Sequence, residues 1–510
     1  MLCRLLLAMI ALFAAVPAGA AWREASSDHF VIYSEDSEAA LRKFATRLER
    51  YDAAMRLMYG VPDTDMGPAS RLTVYAVGNL KAVQRLAPGN DNFIIGFYIP
   101  RAGGSVAFIP RRLSSDASFL RAETVLLHEY AHHFLYQNHA AAYPAWFSEG
   151  FAEFNATARF EEDGSVGLGV PAEHRAYSLF AGDPLPLDKM MGQLPSRMNS
   201  HQREALYGRG WVLTHFLTFE PSRKGQLANY LTALNSGKGG VEAATAAFGD
   251  LGKLSGELDG YVKRQRLPYT RVNADDSMIG KIAIRSLSPG EAAMMDVRIV
   301  SRRGVNLKQA KALVPEARRA AAPFPNDPAV QTWLAETEYD AGYYAEAEAA
   351  ADRALAVDPK SIEALIYKGR VKMAVAEDKK ATDAATWKEV RRWLAAANRA
   401  DPDDPEPLIL FYSSFGAQGV KPTANAVVGL NQAYALAPQD NDLRFMAAYQ
   451  FLVDRKAREA RVALAPIAFN PHATEAGKLA AAMIEQIDTG NIDGALKAGE
   501  APAKEKAAGT

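Results

Sequence analysis

Residues 128–132 read His-Glu-Tyr-Ala-His, two imidazoles one helical turn apart with a carboxylate beside the first. Residues four apart lie on one face of an α-helix, so both rings can reach a single ion. Glu129 sits about 100° further round that helix. There its carboxylate can accept a proton from a water held at the ion. The spacing points to zinc bound by His128 and His132, with Glu129 as general base. With 9 His and 59 acidic residues in the chain, chance supplies such a match only about 0.01 times.

Zinc in a catalytic site takes a third protein ligand and keeps its fourth position for water. Asn138 stands where an HExxHxxGxxH metzincin has its last histidine, and Leu135 replaces that family's glycine, so the pattern is not met. His139 faces the same side as His128, but an unbroken helix carries it about 16 Å away. Glu149 remains, in Pro144-Ala-Trp-Phe-Ser-Glu-Gly-Phe-Ala-Glu153. Pro144 lets the chain turn back, and a second helix can then present Glu149 to the ion.

The elements that must position these residues follow from hydrophobic period and from breakers. A strand is expected at His29–Tyr33, then an amphipathic helix carrying Leu41, Phe44, Leu48, Tyr51 and Met55. Further strands are expected at Arg71–Val77, Phe93–Ile99 and Ser105–Ile109, with Gly103-Gly104 turning between the last two. The motif falls in a predicted helix over Leu120–Tyr136. Helices at Phe147–Arg159, Glu204–Phe219 and Gln226–Leu234 follow. Ser105–Ile109, just upstream of the motif, is read as an edge strand along which an extended peptide pairs.

The helix bearing His128 and His132, followed by Trp146-x-x-Glu149-Gly150-x-Ala152, resembles the gluzincins, the peptidase MA-like clan of thermolysin-like and aminopeptidase-like enzymes. The resemblance covers roughly residues 22–261. It implies an α+β zincin-like metallopeptidase domain in which Glu149 is the third zinc ligand. It also implies that Glu153, one turn on, orients His128 by a hydrogen bond, the other reading being a solvated helix charge. A Tyr opening a helix in this region of the family donates to the developing oxyanion, which points to Tyr207, with His215 as the rival donor. His133 and His201 read as ordinary polar residues.

Beyond about Ser288 the chain is Ala-rich and helical, with stops at Pro328, Pro359, Pro402, Pro438 and Pro471. Their spacings lie near the period of about 34 residues found in tetratricopeptide repeats. The clearest unit runs from Pro328 to Pro359, with Leu334 and Ala335 in its first helix, Gly342 at the turn, and Ala347 and Ala354 in its second. This segment resembles a tetratricopeptide repeat. Glu377–Ala385 reads as an insertion. The expected organisation is a leader at 1–20, the α+β domain at 21–267, a linker at 268–287, an all-α tetratricopeptide-repeat solenoid at 288–487 and a disordered tail at 488–510.

Arg4, the apolar run Leu5–Val16 and Ala18-Gly19-Ala20 have the form of a secretory leader cleaved after Ala20, which predicts a periplasmic or secreted protein. The single cysteine, Cys3, falls inside that leader, so cysteine catalysis and zinc ribbons are excluded from the mature chain. A formal net charge of −1 gives no field favouring nucleic acid or an anionic membrane. No later segment is a continuous apolar span, so stable membrane insertion is not expected after cleavage. The expected partners are a peptide or protein substrate and a protein held by the repeats. The function expected is zinc-dependent hydrolysis of peptide bonds. The alternative is an exported interaction scaffold that binds zinc without turnover.

Overall fold

The computed structural model describes residues 22–508 apart from 65–66, 88–93, 113–121, 139–140, 181–184 and 471–474, and of residues 112, 196 and 501–508 the backbone alone. The leader, His139, and the residues expected to open two elements, Phe93 and Leu120, lie outside the described residues.

The strands are β1 (Arg23–Ser26), β2 (Phe30–Ser34), β3 (Leu72–Asn79), β4 (Phe97–Ile99), β5 (Val106–Arg112), β6 (Arg159–Phe160), β7 (Val166–Leu168), β8 (Thr270–Val272) and β9 (Ala283–Ser286). Among them run α1 (Glu38–Tyr59), α2 (Leu80–Leu86), α3 (Ala122–Asn138), α4 (Ala145–Ala156), α5 (Ala176–Phe180), α6 (Leu187–Gly192), α7 (Ser200–Phe219), α8 (Gln226–Asn235), α9 (Gly240–Phe248) and α10 (Leu251–Tyr261). The long α1 is bounded by local chemistry. The Ser37 side chain accepts from the Ala40 N–H at its start, and Gly60 takes a left-handed conformation, φ 66°, at its end.

A six-stranded sheet runs in the order β4-β5-β3-β2-β1-β9. The β2–β3 and β3–β5 pairs are parallel, and the other pairs are antiparallel. Alternation along the strands separates two apolar faces. Ile32, Leu72, Val74, Ala76, Ala107 and Ile109 join the core that includes α1, α3 and α4. Tyr75, Val77, Val106 and Phe108 join a second core with Met294, Met295 and Trp333 from the C-terminal half. Both faces are covered, which is why β3 and β5 read as nearly continuous apolar runs.

The C-terminal half consists of helices that pack pairwise in sequence. They are α11 (Pro289–Arg303), α12 (Leu307–Ala321), α13 (Pro328–Asp340), α14 (Tyr344–Val357), α15 (Ile362–Asp378), α16 (Ala384–Ala400), α17 (Pro405–Ala417), α18 (Ala424–Leu436), α19 (Asn441–Val453), α20 (Ala457–Ala468), α21 (Glu475–Asp488) and α22 (Ile492–Ala508). Gly342, φ 78°, turns α13 into α14, and Ala335, Ala347 and Ala354 are fully buried where the two helices meet. The molecule is a small N-terminal α/β region joined to a helical-repeat array.

Three expectations are corrected. Residues 268–287 are not a free linker: β8 pairs with β7 in a second, three-stranded sheet of order β6-β7-β8, and β9 pairs with β1 in the six-stranded one. Ser105–Ile109 is not at the edge, because Phe97–Ile99 folds back across the Gly103-Gly104 turn and takes that place as β4. The tail expected to be disordered forms α22. It packs against α21 and α19, with Ala495 buried and Ile492 and Leu496 against the same apolar cluster, small residues allowing close approach of the helices. The insertion expected at 377–385 spans the connection at residues 379–383 and the adjoining ends of α15 and α16, each 17 residues long.

Candidate metal centre

Pro144 caps α4, which restarts the chain after α3 and is buried along its whole length. It lies between α3 and α7, and glycine makes the α4–α7 crossing this close. A Cβ on Gly150 would collide with the Gly210 carbonyl and the Thr214 hydroxyl, and one on Gly210 with the Trp146 carbonyl. That approach brings Tyr207 of α7 to the same place as the HExxH face of α3.

Three donor groups converge there. The Nε2 atoms of His128 and His132 are 3.2 Å apart. His128 Nε2 lies 3.4 Å from Glu149 Oε2, and His132 Nε2 lies 3.4 Å from Glu149 Oε1. Donors about 2.0–2.1 Å from a tetrahedral ion are separated from each other by about 3.3 Å. Glu149 is 3% exposed, and its Oε2 is buried without a hydrogen-bond partner. An orphaned carboxylate oxygen facing two imidazole nitrogens fits a cation, and the His/His/Glu donor set suits zinc.

Each imidazole is also held from behind. Glu153 Oε1 lies 3.2 Å from His128 Nδ1, while its other oxygen meets His174 Nε2 at 2.8 Å. Arg175 donates to Glu153 Oε1 at 2.6 Å. The Ser148 hydroxyl lies 3.2 Å from His132 Nδ1 and 2.6 Å from the Tyr136 hydroxyl. Partners on Nδ1 fix the rings and aim the Nε2 lone pairs into the cluster.

The same carboxylates draw a proton to the cluster, and a bound cation would have to replace it. Burial pulls the His128 imidazole down, but the carboxylates of Glu149 and Glu153 beside it outweigh that and hold it at about 10. Burial would raise the Glu149 carboxyl, yet the imidazoles of His132 and His128 beside it hold it far below the usual carboxylate range. Glu153 is likewise held low against burial by His128, His174 and Arg175. Glu149 thus presents its negative charge to the two Nε2 atoms, while Arg175 balances that of Glu153.

Glu129 is half-buried on α3, next to the cluster. The Tyr207 ring is 6.3 Å from that of His128, and the Arg175 guanidinium lies 4.7 Å over it. Burial, then the charge of Glu149, push the Tyr207 phenol well up, so it stays a proton donor. His215 is placed elsewhere. Its ring nitrogens bond the Tyr261 hydroxyl (2.8 Å) and the Gly169 carbonyl (3.0 Å) in the core, and burial pushes it down to about 4. Asn138 donates to the Phe134 carbonyl. His133 is buried against Tyr98, at 3.0 Å, and His201 is exposed.

Sequence reasoning thus named the residues that meet here and missed Tyr136, Ser148, His174 and Arg175. The one available signal for Ser148 was its place next to Glu149. His174 and Arg175 reach Glu153 from a separate turn, which no local spacing encodes.

The structure brings His128, His132 and Glu149 into one cluster on an α/β layer backed by stacked helix pairs. Residues 328–371 match the tetratricopeptide repeat family. No curated protein matches the chain. Among the described residues, no helix is long and apolar enough to cross a membrane.

Proposed function

We propose that the protein is a zinc-dependent metallopeptidase of the gluzincin type. The observation that carries this reading is the convergence of His128 Nε2, His132 Nε2 and the Glu149 carboxylate, with Glu149 Oε2 left without a partner. Zn²⁺ held by these residues would acidify a water and polarise the scissile carbonyl. Glu129 takes the proton released and passes it to the leaving amine. The Tyr207 hydroxyl donates to the oxyanion as the carbonyl carbon becomes tetrahedral. Glu153 and Ser148 keep both imidazoles in the tautomer that leaves Nε2 free. With a leader cleaved after Ala20, this chemistry would operate in the periplasm or outside the cell.

The test pairs zinc content with turnover. Wild-type protein should carry one zinc and cleave casein in a chelator-sensitive way, while Glu129→Gln keeps the metal and loses cleavage. Equal cleavage by both proteins removes the proposed base. Full zinc occupancy without any cleavage favours an interaction scaffold instead.

A further inference from the structure

The turn between β4 and β5 leaves the N-terminal region and meets the first helices of separate pairs in the repeat array. The Arg101 guanidinium donates to the carbonyl oxygens of Arg302 (2.7 Å) and Arg303 (3.1 Å), at the end of α11. The Ala102 N–H donates to the Asp440 carboxylate at 2.7 Å, and its methyl group is buried with Leu430, Ala433 and Leu443. The Gly103 carbonyl accepts from the Arg302 guanidinium at 3.0 Å. A Cβ on Gly103 would collide with the Glu406 carboxylate, in the first turn of α17. Gly104 has φ +99°, a conformation that favours glycine.

Three consecutive residues are therefore gripped, Arg101 through its guanidinium and Ala102 and Gly103 through the main chain. The groups that grip them come from α11, α17 and α19, the first helices of separate pairs, together with α18. Repeat arrays in general hold extended peptides in the hollow that such first helices line. Asp440 does two tasks at once: one oxygen caps α19 through the Leu443 N–H (2.8 Å), and the other takes the Ala102 N–H. The turn leads directly into β4, the outer strand, whose Tyr98 hydroxyl reaches His133 on α3 at 3.0 Å.

We propose that the hollow of the repeats is a peptide site whose occupant is residues 101–104 of this same chain, and that Asp440 and Arg302 are positioning residues for β4 beside the HExxH helix. The repeats then serve as a clamp in cis, and an outside peptide enters the hollow only by displacing the turn. The consequence for substrate rests on the peptidase reading: a peptide pairing along β4 meets a strand whose position the repeats set.

Asp440→Asn keeps an oxygen to cap α19 but presents an amide donor to the Ala102 N–H, and Arg302→Met removes the donor to Gly103. In the full-length double variant, amide exchange at residues 102–104 should accelerate at least about tenfold. Trypsin should cut after Arg101, with helix content and melting temperature close to wild type. Gly103→Ala, placed in the turn instead of the array, should open the same amides. For a casein-derived peptide the double variant should raise KM several-fold and leave kcat nearly unchanged. Exchange at 102–104 that is already fast in the wild type, or that none of these substitutions alters, overturns the proposal. Absence of turnover in every protein would remove the peptidase reading alone, since exchange and nicking do not depend on it.

Discussion

The two faces of α3 carry clusters of similar composition and opposite design. On one face His128 and His132 meet Glu149. On the other, Tyr130 and His133 border a cavity of about 450 Å³ that also contacts His29, Arg56 and Asp63. In this second cluster His29 bonds Glu49 at 2.8 Å and Asp63 at 3.2 Å through its two ring nitrogens. Arg56 donates to Asp52 at 2.6 Å, and Tyr130 donates to the other Asp52 oxygen at 2.7 Å. A built-in guanidinium supplies the positive charge. In the first cluster the nitrogens face one another and one carboxylate oxygen has no partner. Histidines and acids in a buried place do not by themselves indicate a metal; donors converging on a point where the chain supplies no cation do.

Several measurements would break or sharpen this contrast. Glu149→Ala should weaken zinc binding by more than about 100-fold, beyond the range of an outer-sphere loss. His29→Ala should leave zinc affinity unchanged; competition with a chromogenic chelator reads both. Arg56→Met strands the buried Asp52 carboxylate and should cost about 3–5 kcal/mol in urea unfolding, with the zinc stoichiometry of the folded protein intact. Zinc loss in Arg56→Met, or a large destabilisation in metal-free Glu149→Ala, would dissolve the distinction. Glu153→Gln should lower zinc affinity by about 10–100-fold while the three ligands remain.

The smallest effect is a pH slope. Burial lowers the His29 imidazole, but the hydrogen bond with Glu49 and the charge of Asp52 outweigh it and hold it at about 9, above its ordinary 6.5. The proton is bound more tightly in the folded state. Its stabilisation is therefore complete below pH 6.5 and is lost as pH rises through about 9. Unfolding free energy should fall there by at most about 1.4 kcal/mol per pH unit, and the slope should vanish in His29→Ala.

What the sequence disclosed follows the same division between local and distant causes. His128 and His132 were legible because i and i+4 share a helix face, and Glu149 because Pro144 forces a reversal between two helical stretches. Tyr207 was legible only by family resemblance, and the spacing could not separate it from His215. The sheet was readable at β3, whose residues are mostly buried, but not at β9, where Ala283–Ser286 is largely exposed and carries no clear alternation. The Ala-rich tail resembled low complexity, although the same small residues let α22 dock. Most of all, the repeats read as a separate module because each helix pair is a local pattern. Their contact with the second face of the sheet is written in residues such as Tyr75 and Met294, which lie far apart in the chain.

The pairing of β9 with β1 has a practical side. Cutting the chain at residue 267 would remove both β9 and the helices over Tyr75 and Phe108. The main-chain groups of Arg23–Ser26 would be bared, with an apolar sheet face beside them, a template for aggregation. The N-terminal region should not be obtainable as a soluble fragment, and evolution cannot readily exchange its repeats for those of another protein.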